Sequence, residues 1–256
     1  MLTVTNVSKT YSGKMAYRAL EDVSFDVKDG EYVGIMGPSG SGKTTLLNII
    51  STIDTPTSGS VLLDDESPHT LEEEELSSFR AKQLGFVFQN FQLLDTLTVE
   101  ENIVLPLTLD GGQSISEMKK RVEQISIKLG IQDLLEKRTY ELSGGQIQRT
   151  AIGRALIHQP KLVLADEPTG NLDSKATADV MQLLHKINKE EQTTILMVTH
   201  DPVVASYCDR ILFIKDGKLF NELYKGDNRE AFYQNVVQVL SLLGGDNRDL
   251  SAVRLP

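Results

Sequence analysis

The chain has one cysteine, Cys208, so it can form no internal disulfide and no cysteine-rich zinc module, and it suits a reducing cytosol. Long apolar runs are also missing: Ile103–Leu109 and Leu162–Ala165 fall far short of the roughly 18 residues that a membrane helix needs. Met1–Asn6 meets polar residues at once and does not read as a secretory leader. Positive charge is scarce, with 26 Lys and Arg against 36 Asp and Glu and a net charge of −10. A chain this acidic is a poor general binder of nucleic acid or anionic lipid, so any anion must be held by a local cradle. What is present is a globular balance, 40% hydrophobic and 24% charged over 256 residues.

Strand and helix signals alternate, which predicts an α/β domain. Tyr32–Met36, Leu162–Ala165 and Thr194–Val198 are apolar enough to be buried strands. Thr3–Val7, Ser24–Val27, Ser60–Leu63, Ile211–Ile214 and Lys218–Glu222 read as alternating or edge strands, with turn signals at Lys28-Asp29-Gly30 and Lys215-Asp216-Gly217. Between about 90 and 140 the pattern becomes helical. Met118, Val122, Ile125 and Leu129 fall at three-to-four spacing, which predicts a helical lobe inserted into the core. Leu71–Glu75 reads as a solvated acidic helix start. The expected division is a domain over 1–225 followed by a helical extension over 226–256, where Glu230–Leu243 reads as an appended helix. The phrase Gly-Asp-Asn-Arg occurs at 226–229 and again at 245–248, and turn and cap chemistry accounts for it.

Gly37-Pro38-Ser39-Gly40-Ser41-Gly42-Lys43-Thr44 fits G-x-x-x-x-G-K-[ST] between a predicted strand and a predicted helix. The glycines let backbone N–H groups converge on a phosphate chain, and the helix N-terminus adds partial positive charge. Lys43 is expected to reach the β and γ oxygens and Thr44 to ligate Mg²⁺, with Thr45 beside them in the nucleotide set. The strand at 162–165 runs into Asp166 and Glu167. A strand-end Asp holds Mg²⁺ in enzymes with such a loop, and a second carboxylate suits a base that deprotonates water, which assigns Glu167 to hydrolysis. His200, after the strand at 194–198, is placed to donate to a γ-phosphate and to hold the base and water in line. Gln89, after Gly85–Phe88, is a further candidate ligand of Mg²⁺ or water.

A second cradle is expected at Leu142-Ser143-Gly144-Gly145-Gln146, where Ser143 caps a helix whose first N–H groups are left exposed. One nucleotide has one γ-phosphate, and the first cradle already holds it. A two-fold homodimer in which each second cradle closes over the partner's nucleotide is the economical solution.

Together these motifs resemble the nucleotide-binding domain of ABC transporters over roughly Met1–Leu223. The resemblance implies a P-loop NTPase (RecA-like) α/β fold, with a mixed sheet core, an antiparallel β subdomain and an inserted α-helical subdomain. It makes Tyr11 the aromatic that stacks on adenine, Gly37–Thr44 the Walker A loop and Gln89 the Q-loop residue. Ser143–Gln146 falls in the signature motif, Asp166 and Glu167 in Walker B, Asn171-Leu172-Asp173 in the D-loop, and His200 is the switch histidine. ATP and Mg²⁺ are the implied substrate and ion. One departure is Gly170-Asn171, where many members have Ser-Ala before Leu-Asp; no effect on hydrolysis is expected from it.

Within the family, residues 90–102 resemble the group whose permeases work by moving extracytoplasmic domains. Thr199–Lys218 and Phe232–Gly245 resemble the Bce-type ATPases of bacitracin and lantibiotic resistance. That resemblance implies a permease of about ten spans, often a sensor histidine kinase in the same complex, and a place at the cytoplasmic face of a bacterial plasma membrane without insertion into lipid. Lipoprotein-release and macrolide-type systems are the near alternatives. A DNA-repair or chromosome ATPase would interrupt the stretch between Walker A and the signature with coiled coils or zinc modules. A GTPase would carry N-K-x-D, and Asn188-Lys189-Glu190-Glu191 lacks the Asp.

Overall fold

The computed structural model describes residues 1–13, 16–110 and 113–244. Its elements are β1 (Leu2–Tyr11), β2 (Tyr17–Val27), β3 (Tyr32–Met36), α1 (Lys43–Ile50), β4 (Ser58–Leu63), α2 (Glu73–Gln83), β5 (Leu84–Phe88), α3 (Val99–Asp110) and α4 (Ile115–Leu129), then α5 (Gly144–Leu156), β6 (Leu162–Asp166), α6 (Ser174–Glu191), β7 (Thr194–Val198), α7 (Pro202–Ala205), β8 (Arg210–Lys215), β9 (Lys218–Tyr224) and α8 (Arg229–Gly244). Two sheets form, one in the order β2-β1-β4 and one in the order β5-β6-β7-β3-β8-β9. The first is antiparallel throughout. The second is parallel except for β9, which returns antiparallel on β8.

Apart from the edge strand β9, the larger sheet is covered on both faces, which is why β3, β6 and β7 read as unbroken apolar runs. Alternate side chains enter opposite cores. Val33, Ile35, Leu162, Leu164, Leu196 and Val198 meet α1 and the smaller sheet. Met36, Val163, Ala165, Ile195 and Met197 face the helices of the other layer, α3 to α8. β8, whose residues Ile211–Ile214 read as an alternating or edge strand, is interior: Ile211 and Phe213 enter one core, Leu212 and Ile214 the other, and β9 takes the exposed edge.

α4 carries the signals its sequence predicts, with the Ser114 hydroxyl accepting from the Glu117 N–H and Gly130 closing it at φ 65°. Val122, Ile125 and Leu129 on α4 share a core with Ile103 on α3 and Ala165 on β6. α2 starts with Glu73, Glu74 and Glu75 exposed in its first turn, where carboxylates oppose the positive end of the helix dipole.

α8 is no loose appendage. Phe232, Val236, Val239 and Leu243 recur at helical spacing on one face, and all four are buried in the core that also holds Met197 and Phe213. The Asn228 side chain caps the helix by accepting from the N–H groups of Glu230 and Ala231, as the turn-and-cap reading of 226–229 requires; the second copy at 245–248 lies outside the described residues. Phe232, 2% exposed, therefore carries core energy. Phe232→Ala should cost about 3–5 kcal/mol in urea unfolding, and a loss under about 1 kcal/mol would put the helix outside the core.

Candidate nucleotide site

The register of the large sheet brings the predicted residues into one row. Ile35 pairs with Val198, Val198 with Asp166, and Asp166 with Phe88, so four strands end level. The residues that follow these ends are Gly37 after β3, Glu167 after β6, Thr199 and His200 after β7, and Gln89 after β5. Ligands of open parallel sheets bind beyond the carboxyl ends of the strands for this reason: the strand-to-helix loops open there.

Gly42, at φ 106°, precedes α1, and a Cβ there would lie 2.5 Å from the Ala19 carbonyl oxygen. Only glycine lets the loop turn into the helix so close to β2. Lys43 folds over the loop, donating to the carbonyls of Gly37 at 2.9 Å and Pro38 at 2.7 Å. Pro38, Ser39, Gly40 and Thr44 are exposed, whereas the Ser41 hydroxyl is buried without a partner. Burial lowers the Lys43 ammonium from its ordinary value, while the charges of Glu167 and Asp166 pull it up. The Asp166 carboxyl is raised by burial and by Glu167 beside it, with Lys43 opposing. One cation thus faces two carboxylates.

Glu167 sits in the left-handed region at φ 44°, held by its N–H to the Val198 carbonyl at 2.9 Å. Such a conformation costs a non-glycine residue about 1–3 kcal/mol and persists where the surroundings enforce it. His200 Nδ1 lies 2.9 Å from Glu167 Oε1. An ionised carboxylate only accepts, so Nδ1 carries the hydrogen and donates. Both line a cavity of about 400 Å³ together with Gly170, Leu172 and Tyr207.

Tyr11 ends β1, paired with Tyr17 on β2. Its hydroxyl donates to Asp54 at 2.8 Å, it bonds Thr45, and Lys9, ion-paired to Asp54, lies 4.9 Å from the ring centre. Burial raises the Tyr11 hydroxyl from its ordinary value. The ring is thereby tied to α1, next to the phosphate loop, with its side 39% exposed.

The second cradle is elsewhere. Ser143 caps α5, and the Gln146 side chain accepts from the Ser143 N–H at 2.9 Å. Ser143, Gly144, Gly145 and Gln146 line a cavity of about 430 Å³ with Asn171, Leu172 and Asp173, and no residue of 37–44 lines it.

A sequence model described as ABC transporter matches residues 20–170. The chain belongs to the ABC transporter family. It is 60% identical over 255 residues to the ABC transporter ATP-binding protein YxdL of Bacillus subtilis, covering 100% of this chain and 99% of that one. It is 45% identical to the bacitracin export ATP-binding protein BceA of Halalkalibacterium halodurans, covering 97% of this chain and 99% of that protein. Among solved structures, the dimeric post-hydrolysis state of the ATP-binding cassette MJ0796 of Methanocaldococcus jannaschii, bound to ADP and Pi, superposes with a TM-score of 0.80 at 43% identity. That match covers 88% of this chain and 100% of that one. The fold is the P-loop NTPase fold of ABC cassettes, and the chain is an ABC-type ATPase.

Several side chains at this ATPase site have no motif of their own. Asp54 holds both Lys9 and Tyr11 from more than forty residues away, a contact that local sequence does not signal. Arg154 on α5 donates to the carbonyls of Phe91 and Gln92, both at positive φ, and so fixes the turn just after Gln89. Gln148, fully buried, donates to the Pro168 carbonyl at 2.6 Å and ties α5 to the segment after Glu167.

Proposed function

We propose that this ABC ATPase works as a head-to-tail homodimer that closes on two ATP molecules and drives a membrane permease for resistance to antimicrobial peptides. The observation that carries the dimer is the separation of the two cradles: Ser143–Gln146 open into a cavity without the phosphate loop, so a second chain must bring them to a nucleotide. The MJ0796 cassette, dimeric and bound to ADP and Pi, supports a dimer. Among the described residues no helix is long and apolar enough to cross a membrane, and in this reading a permease supplies the membrane spans. The peptide-resistance reading rests on the likeness to BceA and on residues 199–218 and 232–245. It places the enzyme at the cytoplasmic face of a bacterial plasma membrane, with a permease of about ten spans and a sensor kinase as its partners.

In this reading Tyr11 stacks on adenine, and the N–H groups of 37–45 together with Lys43 hold the phosphates. Thr44, Asp166 and Gln89 offer the hard oxygen donors that Mg²⁺ takes, and the surplus of carboxylate over Lys43 fits a divalent cation. Mg²⁺ when bound neutralises charge on the phosphate oxygens. Glu167 orients water and takes its proton as the water attacks the γ-phosphorus in line. His200 holds that carboxylate through Nδ1 and turns its other nitrogen toward the transferring group. Loss of the γ-phosphate removes what bridged the two chains, and the dimer opens.

The permease contact is an apolar groove of about 390 Å³ on the sheet edge, where Phe86 and Phe88 stack at 5.6 Å with Leu105 and Pro106 beside them. It adjoins Gln92 and Arg154, so motion of the Gln89 loop reaches it directly.

The test is to trap tagged Glu167→Gln with ATP in host membranes, solubilise it and identify what is retained. A permease of about ten spans with one large extracytoplasmic domain is expected, and Phe86→Glu should lose it. A permease of about four spans moves the enzyme to the lipoprotein-release or macrolide branch. Recovery of only soluble or DNA-bound proteins ends the transporter reading.

A further inference from the structure

Gly170-Asn171, the departure from the common Ser-Ala, meets the Gln89 loop in the folded chain. Asn171 Nδ2 donates to the Gln89 carbonyl oxygen at 2.9 Å and to Asn90 Oδ1 at 2.9 Å. The carbonyl can only accept, so the amide orientation of Asn171 is settled by its partner. Gly170 completes the contact by what it lacks. A Cβ there would stand 2.7 Å from Gln89 Nε2 and 3.0 Å from its Cδ, so the end of the Gln89 side chain would have to move aside. The carboxamide of Gln89 therefore lies in the space that glycine leaves, while the carboxamide of Asn171 grips the backbone carrying it. The same turn is anchored at its start, where the Gly170 N–H donates to the Glu167 carbonyl at 3.0 Å. Glu167 in turn is pinned to β7 and to His200.

We propose that Gly170 and Asn171 form a seat for Gln89: two positioning residues that hold its carboxamide in register with the Asp166–Glu167 pair, so that the Gln89 loop and the segment after Glu167 move as one. This rests on the reading of Gln89 as a ligand of Mg²⁺. The pair Ser-Ala would supply neither part, because serine adds a Cβ that displaces the Gln89 carboxamide and alanine has no donor. In this chain the link between the carboxylate end of β6 and the loop leading to the permease groove is made inside one protomer.

The test uses the full chain and measures kcat, KM for ATP and the Mg²⁺ concentration for half-maximal rate. Asn171→Asp keeps the shape but sets an oxygen against the Gln89 carbonyl. Gly170→Ala pushes on the Gln89 amide. Asn171→Asp should lower kcat about tenfold, the worth of one hydrogen bond with a charge set against it, and Gly170→Ala, which only displaces the carboxamide, should lower it several-fold; both should raise the Mg²⁺ requirement, with KM for ATP within about twofold because the phosphate loop is untouched. In a Gln89→Ala background neither change should have further effect. Amide exchange across 88–92 should rise in Asn171→Asp. Unchanged exchange there, or kinetic losses that persist undiminished in the Gln89→Ala background, would overturn the seat. Full activity of Gln89→Ala with raised exchange in Asn171→Asp would instead remove Gln89 from the reaction and leave the contact without a catalytic consequence.

Discussion

Glu167→Gln is expected to lower steady-state ATP turnover by about 10²–10⁴-fold, the usual worth of a positioned general base. The substitution is clean because of what surrounds the residue. His200 donates through Nδ1 to Oε1 at 2.9 Å, and the amide oxygen of glutamine still accepts that bond. The His200 ring and the left-handed backbone at 167 therefore stay in place, and only the capacity to take a proton is lost. ATP affinity should remain within a few-fold, since Lys43 and the loop N–H groups are unaltered. The ATP-bound variant should then accumulate as a dimer in size-exclusion chromatography. Turnover within threefold of the parent enzyme would take Glu167 out of the base role and leave water activation to another group.

Lys43→Ala should strike one step earlier, at binding. Its ammonium lies across the loop and is the cation facing Asp166 and Glu167, with burial pulling its pKa down and those carboxylates pulling it up. Without it two carboxylates confront an incoming tetra-anion with no fixed cation between them. Truncating one partner of a buried charge pair costs about 2–5 kcal/mol, so ATP affinity should fall roughly 30- to 5,000-fold. The loss of Lys43 also takes away the charge that lowers the already raised Asp166 carboxyl. Asp166 should then protonate more readily, and residual activity should fall off at a higher pH than in the parent on the acid side. Fluorescent-nucleotide titration measures the first effect and a pH–rate profile the second. Tight ATP binding in Lys43→Ala would contradict the cradle.

The local signals of this fold were strong because each rests on chemistry confined to a few residues. Gly37–Thr44 names a loop that only a strand-to-helix turn can use. Tyr32–Met36, Leu162–Ala165 and Thr194–Val198 are unbroken apolar runs because both faces of a parallel sheet are covered. The four apolar residues of α8 at 232, 236, 239 and 243 were equally visible, yet an apolar stripe does not say what it packs on, and so the helix read as an appendage. β8, read as an alternating or edge strand, lies inside the sheet. Ile211–Ile214 is an apolar run buried throughout, and only its neighbours β3 and β9 show where it sits.

Sequence alone thus named the candidate groups of this enzyme: a phosphate loop, two carboxylates, a histidine, a glutamine and a second glycine-led helix start, each picked out by residue type and short spacing. Tertiary structure decided how they meet. The strand order β5-β6-β7-β3 brings loops from positions 37, 89, 167 and 200 to one edge. It also decides that Asp54 holds Tyr11, that Arg154 fixes the turn after Gln89, and that Asn171 reaches the Gln89 carbonyl across eighty residues of chain. The physical reason is the same in each case. A hydrogen bond between distant residues leaves no periodicity and no local preference in the chain, because it exists only once the sheet register has set the two backbones side by side.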